Sequence, residues 1–150
     1  MKRKLIISGH SNGLGRALAE YYLRRGDEVL GLSRRRVAVE PSEKLQQHII
    51  DLSDSAAVAA LLSDGLIADF MHAADEVVLI NNAGTVQPSA MLGRQNDAEI
   101  IASAALNITA PLLLANEACR QKPANAVLKI VHISSGAGRN AYPGWSVYGA

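Results

Sequence analysis

Short apolar runs alternate with longer stretches of helical period along the chain. Lys4-Leu5-Ile6-Ile7 is a run of strand length that ends in glycines. In residues 14–25 the apolar positions are Leu14, Ala17, Leu18, Tyr21 and Tyr22, the spacing of one helix face. Gly26-Asp27 ends that helix. Residues 28–33 (EVLGLS) read as a second strand, and residues 47–50 (QHII) as a third that runs into Asp51. Ser53 or Asp54 can cap a helix over residues 56–62. Residues 77–80 form a fourth strand, residues 97–120 a long helix rich in Ala and Leu, and residues 127–133 (VLKIVHI) a fifth strand. Residues 34–46 are charged and carry Pro41, which predicts a loop or a poor helix. There is no internal repeat and no linker.

Continuous apolar strands separated by helices imply a parallel sheet covered on both faces. Right-handed crossovers then give an α/β, doubly wound fold. Ligands of such folds sit beyond the carboxyl ends of the strands, and every candidate site below falls just after a strand.

The overall composition narrows the function. Of 150 residues, 49% are hydrophobic and 19% charged, so the chain has ample surface to bury and is not disordered. Cys119 is the only cysteine, which excludes a disulfide scaffold. A net charge of +1 argues against a nucleic-acid partner. No apolar run reaches the roughly 18 residues of a membrane span. The apolar stretch after Met1-Lys2-Arg3-Lys4 stops at Ser8-Gly9, too short for a signal core. The expected location is the cytoplasm, with no membrane partner. His10, His48, His72 and His132 show no metal-ligand spacing.

The first strand meets the first helix through Ser8-Gly9-His10-Ser11-Asn12-Gly13-Leu14-Gly15. Glycines there permit positive φ and let a phosphate approach the backbone, while the helix start offers N–H groups and partial positive charge. The spacing is G-x-x-x-G-x-G, not the commoner G-x-G-x-x-G. The backbone and side chains of Gly9, Ser11, Asn12, Gly13, Leu14 and Gly15 are the candidate phosphate site. Residues 9–13 also fit G-x-S-x-G, the nucleophile elbow of serine hydrolases, with Ser11 as nucleophile. That elbow normally follows several strands, and here it follows the first.

Dinucleotide folds often end the second strand on an acid that binds the ribose 2′-hydroxyl. This chain has Ser33 there, followed by Arg34, Arg35 and Arg36. An acid would repel a 2′-phosphate, whereas arginine binds one through charge-assisted hydrogen bonds. Ser33 and Arg34 thus favour NADP(H) over NAD(H). Asp51 and Leu52, after the third strand, are placed to meet the adenine, with a capping turn as the plainer reading of Asp51.

With Asn81-Asn82-Ala83-Gly84 after the fourth strand, the chain resembles the short-chain dehydrogenase/reductase family over residues 4–150. Its glycine turn matches the family pattern, with Ser8 where Thr is usual. The resemblance implies a Rossmann-like sheet, of which these residues supply the first five of about seven strands. It implies that Asn82, Ala83 and Gly84 line the cofactor groove. It also implies a catalytic set of Asn107, Ser135 and Tyr148. Ser135 to Tyr148 spans 13 positions, the family spacing, and Asn107 lies 28 positions before Ser135. A narrower likeness, in residues 107–111 and 134–145, is to the benzil reductase and sepiapterin reductase branch, which reduces ketones of α-dicarbonyls or pterin side chains with NADPH.

The resemblance assigns Tyr148 as proton donor, Ser135 as the group that polarises the carbonyl, and Asn107 as the holder of a relay water. Trp145, with Ser135 and Tyr148, would border a small-molecule carbonyl substrate. A free tyrosine titrates near 10, and the family lowers it with a lysine four positions on. That position lies two residues past Ala150. The expectation is therefore an NADP(H)-binding domain over residues 1–150 that is incomplete at its C-terminal end, inactive alone, and part of a longer, homo-oligomeric (dimeric or tetrameric) reductase. The alternatives are a non-catalytic NADP(H)-binding regulatory module and, remotely, the hydrolase with Ser11. Cys119 reads as a small buried or interface residue, His132 as a packed, hydrogen-bonded one, and His10 as a residue that could touch the cofactor.

Overall fold

The computed structural model describes residues 1–40 and 43–150. Five strands, β1 (Arg3–Ser8), β2 (Glu28–Ser33), β3 (Leu45–Ile49), β4 (Glu76–Asn81) and β5 (Val127–His132), form one sheet in the order β3-β2-β1-β4-β5. Every pairing is parallel. The helices are α1 (Gly13–Arg24), α2 (Ser55–Ser63), α3 (Leu66–Met71), α4 (Asp97–Ala104) and α5 (Ala110–Gln121), with a π-helical turn, Ala105–Thr109, between the last two. This is the doubly wound α/β fold the alternation predicts.

β1 is apolar throughout its middle because both of its faces are covered. Ile6 joins Leu30, Leu32, Val77 and Leu79 under Val58, Phe70, Leu114 and Ala118 of α2, α3 and α5. Leu5 and Ile7 join Val29, Val78 and Ile80 under Ala19 and Leu23 of α1. Leu5, Ile6, Ile7, Leu30 and Leu79 are fully buried, each worth about 2 kcal/mol of transfer free energy. Two-sided burial does not extend to the edges of the sheet. Val127 and Val131 on β5 and Ile49 on β3 stay exposed, and among the described residues the α1 cluster contains no β5 residue.

Asp54, not Ser53, caps α2 by accepting from the N–H groups of Ala56 and Ala57, both at 3.0 Å. Helix α3 follows Gly65, whose φ of 80° turns the chain. The sequence pattern does not reveal it, since six residues are too few to show a period. β3 begins two residues before its predicted start. Pro41, in the predicted loop, lies outside the described residues; residues 34–38 form neither helix nor strand.

The helical stretch Asp97–Gln121 is 25 residues long, with a mean hydropathy of 1.6 over its most apolar window. That corrects the expectation that nothing here has the length and apolarity of a membrane span. Only part of that length serves the core: Ala110, Leu114 and Ala118 pack against the sheet layer, but just 22% of the apolar window is buried. At the amino ends of the strands, buried Glu76 accepts from Lys129 Nζ at 2.6 Å and from Arg3 Nε. These cations hold its carboxyl below the usual range, Lys129 foremost.

Candidate functional site

The sheet reverses its winding between β1 and β4, and a crevice opens beyond that point, as such sheets require. Ser8, the last residue of β1, ties the two strand ends together. Its buried hydroxyl accepts from the N–H groups of Asn82 and Ala83, both at 3.0 Å. Asn82 answers with its amide, donating to the carbonyls of Ser8 (3.1 Å) and Gly9 (3.2 Å). Gly9 has φ +72° and admits no side chain, since a Cβ would sit 3.0 Å from Ala83 Cα. Gly15 is tighter still: its Cβ would lie 2.2 Å from the Gly9 carbonyl oxygen. Gly13 has φ +51° and faces open space. The three glycines therefore do different work, two closing the packing of helix on strand and one opening the helix start.

The start of α1 is left bare. Asn12 occupies the cap position without a side-chain capping bond, and no acid stands in the first turn. A helix start in this condition presents donors and a positive dipole end to an anion.

From there a groove of about 900 Å³ runs across the carboxyl ends of β1, β2 and β4. Gly9, Ser11, Asn12, Ser33, Arg34, Asp51, Leu52, Asn82, Ala83 and Gly84 line it, as the sequence reading expects. Arg35, Thr85 and Gln87, with Glu99, Ala102, Ser103 and Leu106 of the long helix, line it as well. Leu14 is exposed at the helix start beside Gly13, outside this lining, and Gly15 is buried behind it. The Ser33 hydroxyl donates to the Arg35 carbonyl at 2.7 Å, which shapes the turn after β2. Asp51 forms a local turn, accepting from the Ser53 hydroxyl (2.7 Å) and N–H (2.9 Å). Those bonds, with a smaller contribution from the Arg34 guanidinium, hold its carboxyl below the usual range.

Asn107 stands in the π-helical turn. Its amide pairs with the Thr85 backbone in both directions, donating to the carbonyl and accepting from the N–H at 2.9 Å each, and also donates to Ser103 Oγ at 3.3 Å. π-turns of this kind are often functional. Ser135 is exposed, and its hydroxyl accepts from the Ala137 N–H at 3.2 Å. Tyr148 is half-buried against Trp145, ring centroids 5.6 Å apart and edge to face. Trp145 in turn packs on Tyr142 and donates its indole N–H to Ser89 at 3.0 Å. Gly149 is folded onto the turn after Ser135, where a Cβ would lie 3.0 Å from the Ala137 carbonyl oxygen. Among the described residues no hydrogen bond joins Asn107, Ser135 and Tyr148 directly.

Three readings of single residues need correction. The His10 ring does not face the groove. It is fully buried and bonds Gln47 at 2.8 Å. That also leaves Ser11 with no histidine partner among the described residues, and nothing here supports the hydrolase reading. Cys119 is exposed, which excludes the buried half of its expected place, buried or at an interface. His132 pairs with Asn81 at 3.3 Å, as expected of a bonded histidine, yet is exposed on the open side of β5. Ser8 and Gln47 are the residues the sequence reading passed over. The only signal for Ser8 was its place where Thr is usual, and for Gln47 there was none.

A family profile described as short chain dehydrogenase matches residues 3–150. The chain belongs to the short-chain dehydrogenase family. It is 38% identical over 144 residues to a benzil reductase ((S)-benzoin forming) of Bacillus subtilis, covering 95% of this chain and 59% of that protein. A short-chain dehydrogenase/reductase structure from Burkholderia vietnamiensis superposes with a TM-score of 0.94 at 41% identity, covering 99% of this chain and 70% of that one. A 4-hydroxyisoleucine dehydrogenase complexed with NADH and succinate gives 0.81 at 26% identity, covering 96% and 64%. The chain spans about three-fifths of the length of the curated benzil reductases it matches. The crevice at the β1–β4 switch lies where doubly wound sheets hold their ligands, and the neighbour complexed with NADH shares this fold.

Proposed function

We propose that this short-chain dehydrogenase binds NADP(H) and reduces a ketone or an α-dicarbonyl, as benzil and sepiapterin reductases do. One observation carries the cofactor choice. The groove wall at the end of β2 holds Ser33, Arg34 and Arg35 and no carboxylate. A 2′-phosphate there meets guanidinium groups and not a repelling acid. The likeness to the Bacillus subtilis benzil reductase supports the substrate class.

The residues fit such a cofactor. Gly13 opens onto free space at the uncapped start of α1, the place a pyrophosphate needs. Asn82, Ala83 and Gly84 form the wall beyond, and Asp51 and Leu52 stand by the adenine end. The bound nicotinamide supplies the hydride. The chain's part is to orient and to move a proton. Tyr148 delivers the proton to the carbonyl oxygen, Ser135 donates a hydrogen bond that polarises it, and Asn107 holds a relay water. Trp145, fixed by Ser89, forms the aromatic wall of the substrate site. Ile101, Ile108 and Leu112 stand outward on the long helix, at 69%, 52% and 61% exposure, and we assign that stripe to contact with a second copy of the chain in a dimer or tetramer.

The test is a cofactor-oxidation assay on the full-length protein with benzil and a pterin ketone, run with NADPH and with NADH. Turnover of at least one ketone with NADPH preferred supports the proposal. Preference for NADH overturns the cofactor reading, and binding of NADPH with no turnover of any carbonyl favours a regulatory module.

A further inference from the structure

His10 sits inside the phosphate turn, yet its ring points away from the groove and is fully buried. It lies flat across Gly31 of β2, where a Cβ would come within 2.3 Å of the ring. Gly31 is in register with Gln47 of β3, and the ring crosses it to reach that side chain. Gln47 makes three hydrogen bonds. Its Oε1 accepts from His10 Nε2 (2.8 Å) and from the Val37 N–H (2.9 Å), and its Nε2 donates to the Val37 carbonyl (3.0 Å). A backbone N–H only donates and a backbone carbonyl only accepts, so the orientation of the Gln47 amide is settled and His10 Nε2 must be the donor.

Val37 lies three residues past Arg34, in a loop without ladder or helix bonds of its own. That loop is pinned at one end by the Ser33 hydroxyl on the Arg35 carbonyl and further along by Gln47 on Val37. Arg34 lies inside the turn that the first pin closes, Arg35 carries that pin, and both line the groove.

We infer that His10 and Gln47 are positioning residues for cofactor preference, a bridge across Gly31 that ties the phosphate turn to the arginine loop and holds that loop ready for a 2′-phosphate. The inference rests on the NADP(H) reading of the groove. A guanidinium on an unpinned loop must be ordered when the phosphate arrives, and that cost falls on binding. NADH has no phosphate at this position and draws nothing from the order.

The experiment replaces His10→Ala and Gln47→Met, singly and together, in the full-length protein, and measures NADPH and NADH dissociation constants by fluorescence titration. Each single variant should weaken NADPH about fivefold and leave NADH within about twofold, and the double variant should lose no more than the worse single one. Equal losses for both cofactors, unchanged NADPH binding, or multiplied losses in the double variant overturn the bridge. If His10→Ala does not fold, Gln47→Met, which removes the bonds to Val37 and His10 at similar volume, decides by the same ratio. If neither folds, the bridge is structural and the inference fails. Arg34→Ala separates the two levels. If it leaves the NADPH preference intact, the cofactor reading itself is wrong. If it abolishes the preference while His10→Ala and Gln47→Met keep it, only the bridge is.

Discussion

The nucleotide end and the reactive end of this chain are built differently. Around Ser8, Gly9 and Asn82, four hydrogen bonds of 3.0–3.2 Å join two strand ends over a buried core. Each pairs a backbone group with the Ser8 hydroxyl or the Asn82 amide, so the shape follows from the path of the chain together with these two side chains. Around Ser135, Trp145 and Tyr148, the side chains are exposed or half-buried and held by edge-to-face aromatic contacts and a bond to Ser89. The cradle is made by the sheet; the reacting groups stand on a segment laid against it. Substitutions at the first end should therefore damage folding and binding together, and those at the second should damage chemistry alone.

The sharpest break is Tyr148→Phe, expected to lower turnover of the full-length protein by 10²-fold or more, on the order of a lost general acid. Cofactor affinity should stay within about twofold; a parallel loss of binding would erase the contrast. Gly15→Ala should act on the other end. With the Gly9 carbonyl oxygen 2.2 Å from the new Cβ, neither backbone can yield, and a cost of about 2–3 kcal/mol should appear as a lower thermal midpoint together with weaker cofactor binding. Arg34→Ala should cost NADPH about tenfold, one charge-assisted pair, and NADH almost nothing, measured as the ratio of dissociation constants. The smallest effect lies outside both ends. Glu76 has its folded pKa lowered below the ordinary 4.5 by Lys129 and Arg3. Its stabilising contribution is complete above that value and is lost as pH falls through the lowered one. A Glu76→Gln variant should therefore have a lower thermal midpoint by circular dichroism at neutral pH, and the difference from the parent should shrink as pH falls below the ordinary 4.5.

Much of this was legible in the residues. β2 falls where EVLGLS does, and β1 and β4 extend their apolar runs by one residue at each end, because strands buried on two faces leave an unbroken apolar record. The groove could be read because glycines, arginines and Asn-Asn-Ala-Gly are costly to place without a reason. What stayed hidden depends on partners distant in sequence. Gln47 looks like an edge-strand polar residue until His10 and Val37 close on it. The π-turn at residues 105–109 continues an Ala- and Leu-rich pattern without interruption, so composition gives no sign of it. Cys119 reads as a small buried or interface residue because small sulfur-bearing residues are usually covered, whereas in this chain its helix turns that position outward.

The π-turn has one more consequence. Ala110 N–H reaches back to the Ala105 carbonyl, five residues instead of four, so the winding gains a residue there. That residue is a phase adjuster: it lets one rod serve two masters, turning Glu99, Ala102 and Ser103 toward the groove while Leu114 and Ala118 stay registered with the sheet. Deleting a single amino acid from the turn would restore regular winding and rotate everything upstream by roughly 100°. Asn107 would then swing off Thr85, and the groove would lose its helical wall with the strands untouched.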